Sequence, residues 1–272
     1  MANTILITGA SSGIGKATAQ FFHDKGWNVV ATMRTPEKET QLTQLDNTLV
    51  TRLDVTNSDS IQSAINESID RFGQIDVLVN NAGYGAFGPL EAFSMEKVRR
   101  QFDTNVTGLI ETTKAVLPQM RQQKSGTIVN ISSIGGKMTF PLGSLYHGTK
   151  FAVEGISEAL LYELEPLGIN VKIIEPGAIS TDFAGRSFDF MNDESLTEYQ
   201  GTVDAIMSWM GNILEQASPA SLVAEVIWNS VTDKTNTLRY TAGDDAIEML
   251  ANRNALDDDA FIGGLKQQFG LK

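Results

Sequence analysis

Eight residues near the start, TGASSGIG from Thr8 to Gly15, limit what this chain can become more than any other stretch. They follow the apolar run TILI and lead into a helical pattern from Ile14. Glycines in such a turn allow torsions and a close approach that side chains forbid, and the helix start offers unpaired N–H groups and a positive dipole end to a pyrophosphate. Strand, glycine turn and helix in that order make a dinucleotide site. Gly9, Gly13 and Gly15 are spaced G-x-x-x-G-x-G, not G-x-G-x-x-G.

The same rhythm continues. After TILIT come NVVATM, TLVTRLDV, IDVLVN, GTIVNIS, INVKIIEPG and LRYTAG, separated by helical patterns over roughly Ile14 to Lys25, Ser58 to Phe72, Met95 to Lys124 and Ser144 to Leu167. Short β-branched runs alternating with helices predict an α/β fold, a Rossmann-type doubly wound parallel sheet flanked by helices. At 272 residues, 42 % of them hydrophobic, one domain over residues 1–272 is expected. Asn57 or Ser58 reads as a helix N-cap, and Gly26 and Gly73 as helix stops. Beyond Pro176 the pattern changes. Residues 180–217 scatter Phe183, Phe188, Phe190, Met191, Met207, Trp209 and Met210 among small polar residues, which reads as a substrate lid. Residues 243–272 form a C-terminal extension.

Charge and composition exclude several classes. With 33 acidic against 21 basic residues the formal charge is −12, which repels phosphate backbones and anionic lipid, so neither nucleic acid nor membrane is an expected partner. No cysteine and only two histidines, His23 and His147, leave no thiolate or histidine-rich metal site. TILITG follows Met1–Asn3 directly, with no signal-type segment, and the expectation is a cytoplasmic protein.

Two spacings carry chemistry. An acidic residue gripping an adenosine 2′-hydroxyl is expected about 20 residues after the glycines, and Met33 and Arg34 stand there instead. A guanidinium fork suits a 2′-phosphate, which favours NADP(H), while neutral Ser12 adds no second cation. Farther on, SLYHGTK puts Tyr146 and Lys150 four residues apart on one helical face. An ammonium beside a phenol favours the phenolate and lowers its pKa from about 10, making Tyr146 a candidate general acid/base. His147, one residue on, points about 100° away and reads as a surface, interface or substrate-rim side chain.

From Thr4 to about Gly177 these motifs resemble the short-chain dehydrogenase/reductase family. TGASSGIG is similar to its cofactor loop, LDVT at Leu53–Thr56 to its adenine-side motif, and NNAG at Asn80–Gly83 to its fourth-strand signature; NVTG around Asn105, Ser133 in NISS, YHGTK and PGAIST follow in the family's order. The resemblance implies that Ser133 holds the substrate oxygen, Tyr146 exchanges the proton, Lys150 tunes Tyr146 and binds the nicotinamide ribose, and Asn105 holds a water in the proton relay. It further implies a cofactor surface of Gly9, Ser11, Ser12, Gly13, Ile14, Gly15, Arg34, Asp54, Val55, Asn81, Ala82, Gly83, Tyr146, Lys150, Pro176, Gly177, Ile179 and Thr181, with Asp54 and Val55 toward the adenine and Thr181 toward the carboxamide. YHGTK departs from the family's usual Y-x-A-S-K but keeps the intervening residues small. VVATMRTPEK and the extended tail are similar to the hydroxysteroid and retinol dehydrogenase-like branch.

The expected function is thus NADP(H)-dependent interconversion of a carbonyl and an alcohol, on a small-molecule substrate that the aromatic and methionine-rich lid makes apolar and bulky. Small residues along the Tyr146 helix, Gly148, Ala152, Gly155 and Ala159, permit close packing, and the resemblance implies a homodimer or homotetramer. A non-catalytic NADP(H)-sensing regulator on the same fold is the alternative; it need not keep Ser133, Tyr146 and Lys150 together. Nucleotide-sugar epimerases and dehydratases usually have another glycine spacing and a longer C-terminal substrate domain.

Overall fold

The computed structural model describes residues 2–181 and 187–271, so Phe183 of the expected lid lies outside the described residues. In chain order the strands are β1 (Thr4–Ile7), β2 (Asn28–Met33), β3 (Thr48–Arg52), β4 (Val77–Asn80), β5 (Gly85–Phe87), β6 (Gly126–Ile131), β7 (Ile169–Pro176), β8 (Ile179–Ser180), β9 (Phe188–Phe190), β10 (Ser218–Pro219) and β11 (Arg239–Ala242). The helices are α1 (Gly13–Asp24), α2 (Ser58–Phe72), α3 (Met95–Phe102), α4 (Gly108–Gln123), α5 (Ser144–Leu164), α6 (Thr197–Glu215), α7 (Ala220–Thr232), α8 (Asp244–Ala255) and α9 (Asp258–Gln268).

Seven strands form one sheet in the order β3-β2-β1-β4-β6-β7-β11, every neighbouring pair parallel. All seven are the apolar runs read from the sequence. The inner strands are rich in apolar residues because helices cover both faces, whereas the edge strands β3 and β11 are more polar and only partly buried. Ile5, Ile7, Val29, Ala31, Val77 and Val79 face one side, packed with Ala19 and Phe22 of α1 and Val223 and Ile227 of α7. Their neighbours Leu6, Val30 and Leu78 face the other, against Ile61 and Ile65 of α2 and Val116 and Met120 of α4. A one-residue slip would exchange the two sets, so the register is fixed by both layers at once.

Local signals set the helix ends. Asn57 caps α2 by accepting the Ser60 N–H at 2.8 Å, and Gly73 ends it at φ +86°, a torsion that side chains resist. The single helix expected from Met95 to Lys124 is continuous in direction, but Asp103–Thr107 widens into a π-helical turn that separates α3 from α4.

The segment after β7 is more ordered than its sequence suggested. Half of the expected lid is α6, and β9 pairs in parallel with β5. The tail folds as α8 and α9, placing Ala246, Phe261, Met249 and Leu265 against Ile134 and Met138 just beyond β6. Among the described residues no helix is long and apolar enough to cross a membrane.

Candidate active site

The sheet winds outward in both directions from the β1–β4 boundary, and a cleft opens beyond the carboxyl ends of the strands at such a reversal. Every sequence-predicted site residue except Asn105, Tyr146 and Lys150 lies in or beyond such a strand end: the glycine turn after β1, Arg34 after β2, Asp54 after β3, Asn81 after β4, Ser133 after β6 and Gly177 after β7. Asn105 comes in from the π-turn, and Tyr146 and Lys150 from the first turns of α5. A cavity of about 850 Å³ runs along this edge, lined by residues from all of these strand ends and from α5.

The glycine turn is built to bring backbone close. Gly9 and Gly13 have φ of +69° and +55°. Gly15 has no room for a side chain: a Cβ there would sit 2.5 Å from both Asn81 Nδ2 and the Gly9 carbonyl oxygen. Asn81 Nδ2 holds the turn by donating to the carbonyls of Thr8 at 2.8 Å and Gly9 at 3.1 Å. Thr8 Oγ1 in return accepts the N–H groups of Asn81 and Ala82. Ser12 precedes α1 without supplying a side-chain cap, which leaves the helix start facing the cavity with its N–H groups and dipole. Ser11, Ile14 and Thr181 lie on the same wall, Thr181 against Gly13.

At the far end exposed Arg34 joins Asp54 and Val55 on the cavity wall. Asp54 is held by its own turn, Oδ1 accepting from Thr56 N–H at 3.0 Å and Thr56 Oγ1 at 2.8 Å. Along the middle, Ala82, Gly83, Pro176, Gly177 and Ile179 complete the surface. The tail contributes here without any signal in its sequence: Asp245 Oδ2 accepts the Ala178 N–H at 2.8 Å and packs against Gly177.

Ser133, Tyr146 and Lys150 converge on the floor. Ser133 is the extended residue capping the short turn Ile134–Gly136, its Oγ accepting from Gly135 N–H at 3.0 Å and lying 3.5 Å from the Pro176 carbonyl oxygen. The Tyr146 hydroxyl hydrogen-bonds with Ser133. Lys150 Nζ donates to the Ile131 carbonyl at 2.9 Å and lies 5.7 Å from the Tyr146 ring centre. Burial pushes the Lys150 ammonium down to about 8, against the attraction of Glu154. Tyr146 departs from the sequence expectation. Burial pushes its phenol above the ordinary value, outweighing the lowering by Ser133, so desolvation and not the neighbouring ammonium dominates here.

Buried Asn105 braces the site. Its Nδ2 donates to the Tyr84 carbonyl at 2.8 Å and to Thr149 Oγ1 at 3.1 Å, and its Oδ1 accepts the Tyr84 N–H at 3.1 Å. The side chain that the resemblance assigned to a water is thereby tied to Tyr84, just before β5, and to α5.

His147, which lines part of the cavity, corrects the surface option of the sequence reading. It is buried, 2 % exposed, with its ring edge-on to that of Tyr146 at 5.7 Å. Its Nδ1 lies 2.9 Å from the Gly135 carbonyl oxygen and must donate to it, while Nε2 accepts the Phe140 N–H at 2.9 Å. Both ring nitrogens are committed to a neutral tautomer, and burial holds the pKa below the usual histidine value. The loop Ile134–Gly143 wraps over this helix face, which an isolated helix could not reveal.

Above the floor the cavity is aromatic. Phe87 packs 5.2 Å from Tyr146 and stacks at 5.3 Å on Phe188; Trp209 of α6 packs on Phe140 and Phe269. Lys97 of α3 pins β9 through Asp189 at 2.7 Å. The expected lid residues Phe188, Trp209 and Met210 line the cavity, whereas Met207 is exposed.

Such a fold with this floor defines a nucleotide-cleft protein of the oxidoreductase type. The sequence profile of the short chain dehydrogenases matches residues 3–192, and the chain belongs to the short-chain dehydrogenase/reductase family. It is 44 % identical to an uncharacterized oxidoreductase of Schizosaccharomyces pombe over 88 % of this chain and all of the relative. Retinol dehydrogenase 8 of Bos taurus is 38 % identical, over 79 % of this chain and 70 % of its own length. A short-chain dehydrogenase from Streptomyces avermitilis superposes with a TM-score of 0.81 at 34 % identity, covering 98 % of this chain and 95 % of that one. The NADP-bound structure of ElxO follows at 0.75 and 29 % identity, covering 91 % and 100 %.

Proposed function

We propose that this oxidoreductase uses NADP(H) to interconvert a carbonyl and an alcohol, with Tyr146 as general acid/base, on an apolar and bulky small molecule. The observation that carries the reading is the convergence of Ser133, Tyr146 and Lys150 on the cavity floor, beside a glycine turn whose Gly9 and Gly13 line the cavity and whose Gly15, packed against Asn81 and Gly9, has no room for a side chain. That cradle, the uncapped start of α1 and Arg34 at the end of β2 fit a dinucleotide with a 2′-phosphate. ElxO binds NADP on a related chain.

The bound nicotinamide would supply or accept the hydride. The chain supplies the rest. In reduction, Ser133 Oγ and the Tyr146 hydroxyl hold the carbonyl oxygen, and Tyr146 passes it a proton as the carbon becomes that of an alcohol. In oxidation the same phenol takes the proton back. Raised by burial, Tyr146 keeps its proton at neutral pH and is ready as the acid. The Lys150 ammonium stabilises the phenolate left behind, and Asn105 holds β5 and α5 at a fixed spacing. Phe87, Phe188 and Trp209 form an apolar wall over the floor, consistent with the retinol named for one relative.

We further infer a single domain in the cytoplasm that assembles as a homo-oligomer through α5, whose Phe151 and Tyr162 are 46 % and 71 % exposed. A monomeric mass by light scattering would overturn the assembly.

The test follows NADPH oxidation with small, aromatic and steroid-like ketones, wild type beside Tyr146→Phe. Turnover is expected in the wild type, with a loss of about 10²-fold or more in the variant while NADPH still binds. Turnover that survives the substitution would remove Tyr146 from the mechanism.

A further inference from the structure

Glu154 stands one helical turn beyond Lys150 on α5, a spacing that makes the two side chains neighbours. It takes no part in the chemistry above, yet its side chain is only 6 % exposed. Arg239, reaching over from β11, donates Nε to Glu154 Oε2 at 2.9 Å and also binds Glu158. The same Nε lies 3.5 Å from Oε1 of Glu175, a second buried carboxylate, on β7. Lys137, in the loop after β6, faces Glu175 and Glu158. Two cations and three carboxylates therefore surround the outer side of α5, with Lys150 and Tyr146 inward.

The geometry keeps Glu154 in place. A side chain at Gly136 would meet Glu154 Cγ at 2.9 Å, the Lys150 carbonyl oxygen at 2.9 Å and Ser132 Oγ at 2.8 Å, so the glutamate stem is pressed into the corner where β6 ends and Lys150 begins its turn. Its Oε2 is fixed by Arg239, while Oε1 is buried and accepts no hydrogen bond among the described residues. That oxygen's charge is left undiluted in a medium of low polarity.

Packing alone is a poor reason for this arrangement. Buried ion pairs add little stability over apolar residues of similar volume, and here two buried carboxylates share one arginine, at a cost visible in Glu175, whose carboxyl is pushed up to about 6 by burial and by Glu154. The cluster has an electrostatic use. Burial lowers the Lys150 ammonium, and Glu154 is the charge that opposes the fall.

We propose that Glu154, held by Arg239, is a positioning residue that keeps Lys150 protonated beside Tyr146. This rests on the roles given to those two residues above, and its experiment can fail separately from them. The full chain is labelled with [ε-¹³C]lysine, the Lys150 signal assigned by Lys150→Arg, and titrated with pH in wild type, Glu154→Gln and Glu158→Gln. Glu158 shares the arginine but is exposed, so its substitution is the control. The Lys150 midpoint is expected to fall by about one pH unit in Glu154→Gln, a tenfold loss of proton affinity, and to stay put in Glu158→Gln. The alkaline limb of ketone reduction should move down with it while the plateau rate is kept. An unmoved midpoint in Glu154→Gln, or a rate lowered equally at every pH, would overturn the proposal and leave a packing role. Glu154→Asp keeps the charge with a shorter reach and should fall between; if neither variant moves the midpoint, the proposal fails even where Glu154→Gln folds poorly. Turnover surviving Tyr146→Phe would sink the catalytic reading, while the lysine midpoint would still decide Glu154.

Discussion

Under the proposed NADP(H) reading, the choice of nucleotide rests on a single side chain, Arg34. It is exposed on the cavity wall at the end of β2, where a carboxylate would repel a 2′-phosphate and a guanidinium attracts one. Water screens an exposed pair, so a difference of about 1–2 kcal/mol is expected. Arg34→Ala should weaken NADPH binding roughly tenfold and leave NADH binding nearly unchanged, read by fluorescence titration of both nucleotides; equal losses would mean that the arginine does not read the phosphate. This residue was legible because strand-end positions are countable from the glycine turn. His147 was not: the Ile134–Gly143 loop covering it is a tertiary feature, and the carbonyl and N–H it meets belong to backbone. The Tyr146 shift was missed for a related reason. Spacing reveals a charged neighbour but not how much water is excluded.

At the level of elements, the seven sheet strands and α2 were legible, since doubly covered strands show as apolar runs and α2 carries its own cap and stop. The pairing of β5 with β9 was not, because three residues have no period and the partners lie about 100 positions apart. Nor was α6, whose Gly201 and Gly211 weaken its helical signal. The π-turn between α3 and α4 is the element with most consequence. It turns Asn105 toward Tyr84 and Thr149, and three hydrogen bonds join the residue leading into β5, the π-turn and α5 through one amide. Asn105→Ala leaves the part-buried Tyr84 carbonyl with one partner fewer and its N–H without this acceptor, a cost of about 1–3 kcal/mol. The expected result is a lower Tm together with a fall in kcat, since Thr149 lies on the helix that presents Tyr146. Asn105→Asp, which keeps the acceptor for the Tyr84 N–H, should recover part of the Tm; identical melts for both variants and wild type would show that the brace carries no strain between the elements.

Across the whole molecule, the last thirty residues return to the site that the first two-thirds of the chain build. Asp245 ties the start of α8 to the Ala178 N–H, and Phe261 of α9, 8 % exposed, packs with Ile134 and Met138, immediately after Ser133. Farther along the tail, Phe269 packs edge-on to Trp209 at 4.9 Å, joining it to the substrate wall. Of the proposed cofactor surface, Arg34 and Asp54 lie at the opposite wing of the sheet from these contacts, after β2 and β3. A cavity left by Phe261→Ala therefore loosens the Ser133 turn and the apolar wall while sparing the dinucleotide end. Truncating a buried phenylalanine costs about 3–5 kcal/mol when the surroundings cannot collapse, with less expected here because α9 lies at the surface. The prediction is a several-fold rise in KM for a bulky ketone and a smaller one for a compact ketone, with the Kd for NADPH unchanged, measured by steady-state kinetics and titration on the same preparation. An equal loss for both ketones would mean that the tail supports the catalytic turn but does not shape the substrate wall; a matching loss of NADPH affinity would mean that the two ends of the cleft are coupled through the sheet.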